Sequence, residues 1–131
     1  MIFGIGTDLC DVRRIQSTWE RRGDSLARKI LGAQEYSVFE TRRSQSETRA
    51  VQFLASRFAG KEAFSKALGI GFRPPMGWHS CEILPNHEGK PTMNLHHHLY
   101  EWFTQQRLRA HISLSDEVNY ALAFVVIERM E

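Results

Sequence analysis

The stretch RFAGKEAFSKALG, Arg57 to Gly69, decides how this chain is read. At about 100° per residue, Val51, Leu54, Ala55 and Phe58 share one narrow sector, the stripe that an amphipathic helix turns to the core. Glu62 falls in the middle of that stripe, and Lys66 lies one turn further on the same side. A carboxylate on the buried side of a helix is costly unless it is paired or bound to a metal. The stretch predicts a long central helix, from about Thr48 to Leu68, stopped at Gly69. Its buried charge needs a cation, either a lysine or a metal ion.

Outward from this helix, residues 2–9 (IFGIGTDL) read as a strand with Gly4, Gly6 and Asp8 on one face. Glycine weakens a strand unless another backbone must approach closely, so this bare face ends in a carboxylate. Residues 11–31 are helical in composition and basic, with Arg13, Arg14, Arg21, Arg22, Arg28 and Lys29, and Gly23 is the expected break. Residues 34–42 predict a short helix. Beyond Gly69, GIGFRPPMGW is a loop. Residues 79–84 and 92–95 predict two strands joined by PNHEGKP, and 97–108 a helix carrying Leu99, Trp102 and Phe103 inward. Residues 110–115 and 119–128 make a closing hairpin around SDEV. The last strand is apolar on both faces, so it should be covered on both sides, by its own helices or by another subunit. The order β-α-α-α-β-β-α-β-β predicts one α+β domain, an antiparallel sheet packed on a long central helix.

Composition narrows the function classes. The 131 residues are 42% hydrophobic and 24% charged, as in an ordinary globular domain, and the formal net charge is +2. That balance is too mild for general nucleic-acid binding. No apolar run approaches the roughly 20 residues of a membrane span, and MIFGIGTDL lacks a signal peptide's basic region, so a cytoplasmic protein is expected. Cys10 and Cys81 are far apart, outside metal-ligand spacing, and read as reduced, buried thiols. His96, His97 and His98 are adjacent, point in different directions and read as a solvated helix start rather than a metal cage.

The chemistry concentrates at Asp8 and Glu62, which come from different elements and point toward packed faces. Two carboxylates meeting at one point repel unless a cation sits between them. An oxygen-only site with few ligands suits Mg²⁺, which fills its shell with water and substrate phosphates. The alternative pairs Glu62 with Lys66 and uses Asp8 as the N-cap of the following helix, the commoner fate of such residues. Lys61 and Lys66 flank Glu62 as phosphate neutralisers, or else are surface lysines. His111 shares a strand face with Ser113 and Ser115, a ligand wall or a face open to water. The basic segment 13–29 lacks the acids that balance a solvated face, which points to an acidic protein partner.

GIGTDLCDVRRI, RFAGKEAFSKALG and HISLSDEVNYALAFVVIE together resemble the holo-[acyl-carrier-protein] synthases, small phosphopantetheinyl transferases of bacterial fatty acid synthesis. The resemblance covers nearly the whole chain in the family's order and spacing. It implies Mg²⁺-dependent transfer of 4′-phosphopantetheine from coenzyme A to a serine of apo-acyl carrier protein, leaving adenosine 3′,5′-bisphosphate. It implies Asp8 and Glu62 as metal ligands and, with Lys66, as the catalytic set. Coenzyme contacts are implied at Arg57, Phe58, Lys61, Ser65, Lys66, Gly69 and His111, and carrier docking at Arg13, Arg14, Arg21 and Arg28. A homotrimer with active sites at subunit interfaces is also implied. Gly60 stands where the family often has alanine, and is expected to loosen the helix by about 1 kcal/mol. Ile70 replaces a frequent threonine, and the two prolines of FRPPMGWHS set that loop apart. The rival readings are a catalytically silent trimeric module for acidic helical partners and a Mg²⁺-dependent phosphoesterase.

Overall fold

A computed structural model describes residues 1–131. The element order is β1 (Ile2–Asp11), α1 (Val12–Arg22), α2 (Asp24–Ile30), α3 (Ala33–Gln45), α4 (Glu47–Leu68), β2 (Cys81–Pro85), β3 (Pro91–Leu95), α5 (His97–Gln105), β4 (Leu108–Asp116) and β5 (Tyr120–Arg129). The expected elements are all present, and Gly23, at φ +55°, divides the basic segment into α1 and α2.

The local signals work as the residue types dictate. Ser46 caps α4 by accepting from the Arg49 N–H at 3.3 Å. Gly69, left-handed at φ +83°, closes it, with its N–H bonded to the Ser65 and Lys66 carbonyls. The α1 cap differs from the sequence alternative. β1 runs on to Asp11, and Asp11 accepts from the Arg13 N–H at 2.9 Å. Asp8 therefore lies inside the strand and is free of capping duty.

The antiparallel strands form two sheets, one of order β1-β5-β4 and a small hairpin of β2 and β3. α4 lies across the larger sheet. Its buried alanines Ala59, Ala63 and Ala67 bring the helix backbone close to β1. A Cβ on Gly4 would stand 1.9 Å from the Ala67 carbonyl oxygen, and one on Gly6 2.0 Å from that of Ala63. Both glycines are thus required by contact rather than by backbone angle. Gly60 differs: its Cβ would meet the Ile83 Cδ1 at 2.3 Å, the movable end of a side chain rather than backbone, so glycine there eases the packing of β2 without being required by it.

The register puts Gly6 opposite Val125, Asp8 opposite Ala123, and Ile112 opposite Val125. Gly6, Ala121, Ala123, Val125, Ile127 and Ile112 are buried toward α4. The opposite face carries Ile5, Leu9, Leu122 and Phe124, which are 61%, 64%, 43% and 44% exposed. β5 is apolar on both faces as expected, but one chain covers only one of them.

A second polar layer joins the helices to β2. Glu35 and Lys61 are wholly buried and paired at 2.7 Å. Glu35 also accepts from the Gly32 and Ile83 N–H groups. Glu82, nearly buried, accepts from the Gln34 and Glu35 N–H groups at the start of α3 and bonds His96. His96 is therefore part of this network, not a solvated helix start.

Gly6→Ala should test the β1–α4 approach. Because the obstructing atom is backbone, a loss of about 3 kcal/mol is expected in urea unfolding; an unchanged midpoint would contradict the contact.

Candidate active site

Strand pleat and helix pitch bring three charged side chains to one place. Asp8 follows Gly4 and Gly6 on the face of β1 that meets α4. Glu62 and Lys66 stand one turn apart on α4. Lys66 Nζ donates to the Thr7 carbonyl at 2.9 Å and to Asp8 Oδ1 at 3.3 Å. Lys66 thus pairs with Asp8 and not, as the i,i+4 alternative supposed, with Glu62. Glu62 is half-buried and has no ion pair of its own. Its pKa is pushed up by burial first and by the Asp8 charge second, with Lys66 opposing. Cys10, behind the acids, has its thiol raised to about 11 by burial and by Asp8, so it stays protonated and unreactive at neutral pH.

A half-buried glutamate without a counterion beside a second carboxylate is an electrostatically incomplete site. The oxygen donors suit a hard divalent cation. No group of three or more His, Cys, Asp or Glu side chains converges anywhere in the chain. Two carboxylates alone would leave most of a cation's shell to water and phosphate, the habit of Mg²⁺.

The other expected site residues divide. Gly69 is exposed at the end of α4. Ser65 is buried and its hydroxyl is turned back onto the Glu62 carbonyl at 2.7 Å. Phe58, one turn before Glu62, stacks on Trp78 at 5.4 Å, and Trp78 stacks on Phe72 at 4.2 Å. Lys61 is a correction: its ammonium is wholly buried and bonded to Glu35, the Ile30 carbonyl and the Trp78 carbonyl, so it is neither a surface lysine nor free to meet a phosphate. Helix pitch explains the error, because adjacent residues point about 100° apart, and at this helix the inward one is Lys61. Its buried partner, Glu35, lies 26 residues away and left no local pattern to find.

Arg57 is buried against the Phe53 ring and donates to the Ile83 carbonyl and the Ser56 hydroxyl. Burial first lowers its pKa to about 10, with Arg42 also opposing its charge and Glu35 favouring it. It lines a cavity of about 470 Å³ with Arg42, Arg49 and Asp116, three guanidiniums against one carboxylate. Arg42 and Arg49 were not expected as site residues; only a convergence of two helices reveals them.

His111 is not brought to the acids. It projects from the open face of the sheet, level with Val126, where its ring bonds Glu128 at 2.8 Å. The sheet separates it from Asp8 and Glu62. Of the four docking arginines, Arg13 is held by Asp11 and Arg28 by Asp24, so the basic segment does not lack balancing acids: one just before it and one within it neutralise part of its charge. Arg14 and Arg21 are exposed and have no acidic partner.

Against known proteins, residues 4–125 match the family model described as the 4'-phosphopantetheinyl transferase superfamily. A holo-[acyl-carrier-protein] synthase of Leptothrix cholodnii is 54% identical over 98% of this chain and 97% of that protein. The crystal structure of holo-[acyl-carrier-protein] synthase from Neisseria meningitidis has a TM-score of 0.89 at 38% identity, over 98% of this chain and 100% of that one. A holo-(acyl-carrier-protein) synthase from Bacillus anthracis, in complex with CoA (3',5'-ADP), has a TM-score of 0.81 at 30% identity over 99% of both chains. The chain belongs to the 4'-phosphopantetheinyl transferase superfamily, among the holo-[acyl-carrier-protein] synthases.

The Glu62 environment has a measurable consequence. A carboxylate whose folded-state pKa is raised subtracts stability above that value, and the loss is relieved as pH falls through it toward the ordinary 4.5. Glu62→Gln should therefore melt slightly higher than the parent at neutral pH in chelator. The difference should vanish below pH 4.5, where the glutamate is protonated in both states. A lower melting temperature for the variant would contradict the assignment.

Proposed function

We infer that this chain transfers the 4′-phosphopantetheine of coenzyme A to a serine of apo-acyl carrier protein. The observation that carries the reading is the meeting of Asp8 and Glu62 beside Lys66, which leaves Glu62 without a counterion. The serine oxygen bonds the phosphorus attached to the pantetheine arm. The pyrophosphate bond breaks, adenosine 3′,5′-bisphosphate departs, and the serine proton is released. Phosphoryl transfer of this kind needs alignment and charge neutralisation rather than a covalent intermediate. The nucleophile arrives on the carrier, so the chain needs no reactive serine; Ser65 is turned into its own helix.

Asp8 and Glu62 would hold Mg²⁺ against the pyrophosphate. A divalent cation held by these two carboxylates would supply the positive charge that neutralises the phosphates as the bisphosphate departs. Lys66, anchored on the Thr7 carbonyl, directs its ammonium at the same place and adds positive charge for the leaving bisphosphate. Arg57, Arg42 and Arg49 offer their cavity to a further phosphate of the coenzyme. Arg14 and Arg21, unpaired and exposed, form the basic surface for an acidic carrier.

His111 enters the site only from another copy. Ile5, Leu9, Leu122 and Phe124 make the open sheet face an association surface, and closure as a homotrimer would bring one subunit's His111 toward the next subunit's Asp8 and Glu62. The enzyme works as a single domain in the cytoplasm, where Cys10 and Cys81 remain free thiols, and serves fatty acid synthesis.

Intact-mass analysis of apo-acyl carrier protein incubated with the enzyme, coenzyme A and Mg²⁺ tests the reading. One phosphopantetheine should be added, and none with EDTA or Glu62→Ala. No addition by a folded enzyme across several carriers would favour a silent binding module. Asp8→Ala and His111→Ala should each be inactive yet regain transfer when unfolded and refolded together; persistent inactivity would sink the shared site. Arg14→Glu with Arg21→Glu should raise the KM for the carrier at least about tenfold and leave that for coenzyme A unchanged. Equal effects on both would remove the docking assignment.

A further inference from the structure

Lys61, immediately before Glu62, does more than balance a charge. Its ammonium makes three bonds of 2.7 Å: to Glu35, to the Ile30 carbonyl at the end of α2, and to the Trp78 carbonyl in the loop after α4. The Glu35 bond satisfies the electrostatics; the Trp78 bond fixes a loop. From that fixed backbone the Trp78 ring lies between Phe58 and Phe72, at interplanar angles of 23° and 27°. All three rings are half-buried, so the stack keeps a face toward solvent. Phe58 is one turn before Glu62, which puts this apolar surface beside the acid pair.

We propose that Lys61 is a positioning residue: through the Trp78 carbonyl it holds the Phe58–Trp78–Phe72 stack as a rigid apolar wall, along which the pantetheine arm of coenzyme A lies. The proposal rests on the transferase reading. The arm is bonded to the phosphorus that reacts, so it starts where Asp8, Glu62 and Lys66 hold the pyrophosphate. It is an uncharged chain of methyl-bearing carbon and planar amides, which pack well on aromatic faces. The adenosine half carries a separate phosphate and is drawn to guanidinium groups instead. A wall already immobilised loses little side-chain entropy when the arm settles on it.

Removing Lys61 alone would leave the Glu35 carboxylate buried and unpaired, so the test removes both charges with Lys61→Met/Glu35→Gln. Calorimetry compares coenzyme A with adenosine 3′,5′-bisphosphate, which lacks the arm. In Trp78→Ala, coenzyme A should bind at least about tenfold more weakly, and the bisphosphate as before. Lys61→Met/Glu35→Gln should show the same split. Its Trp78 signal in 5-fluorotryptophan-labelled protein, assigned through Trp78→Phe, should be displaced from the parent position. In the unsubstituted protein that signal should be one ordered line, a check that needs no variant to fold.

Equal weakening of both ligands, or of neither, overturns the proposal, as does a Trp78→Ala defect confined to carrier binding. A motionally averaged Trp78 signal in the unsubstituted protein, or an unmoved one in the double variant, removes the role of Lys61. Coenzyme A binding by the unsubstituted protein is read first. Its absence would remove the transferase reading itself, whereas retained binding with no split between ligands removes the wall alone.

Discussion

The first strand and the central helix meet backbone against backbone. β1 lies so near α4 that neither Gly4 nor Gly6 has room for a single carbon before the carbonyls of Ala67 and Ala63. Such an approach lets the first strand and the central helix share a functional site. With ordinary side chains between them, Asp8 would stand too far from Lys66 to bond it at 3.3 Å, and Glu62 would not feel the Asp8 charge. The same contact seats β5 against α4 through its buried Ala123 and Val125. The sheet, and the outward face it presents, are oriented by the same glycines.

A second constraint stabilises what surrounds the site. The pair Lys61–Glu35 is wholly buried, and such a pair is weak evidence for net stability because desolvation offsets much of its attraction. Its value here is connectivity. Glu35 reaches Gly32 and Ile83, and Lys61 reaches Ile30 and Trp78. The end of α2, the start of α3, the Trp78 loop and β2 are placed against α4 by these directional bonds as well as by apolar packing. No buried side-chain nitrogen or oxygen lacks a partner, so the network is complete and specifies one arrangement. The acid pair is the contrast: its carboxylates sit together without full compensation, the usual mark of a site built for a ligand.

The open face of the sheet and the acid pair lie on opposite sides of β1. A cavity of about 690 Å³ beside Arg28, Tyr36, His79 and His96 does not include Asp8 or Glu62. Asp8 and Glu62 lie where β1 meets α4, with His111 on the other side of the sheet. On the proposed shared site, each of these two surfaces of a single chain would supply chemistry that the other lacks. Exposed Leu122 and Phe124 give the association that would join them its hydrophobic driving force.

Much of this was legible in one dimension. Helix period marked α4 and its intruding glutamate, strand period put Gly4, Gly6 and Asp8 on one face, and glycines marked the ends of α1 and α4. These are local signals, set by φ and ψ preferences and side-chain spacing. Three features were not legible, because each depends on residues distant in sequence. Lys61 turned inward since Glu35 waited there; Lys66 chose Asp8 over Glu62 since β1 delivered a nearer carboxylate; Arg42 and Arg49 joined Arg57 since α3 folds back on α4. The sequence by itself determined which elements form and which charges need an explanation. Only the tertiary structure decided which partner each charge takes, because burial and distance, not residue type, set the energy of an ion pair.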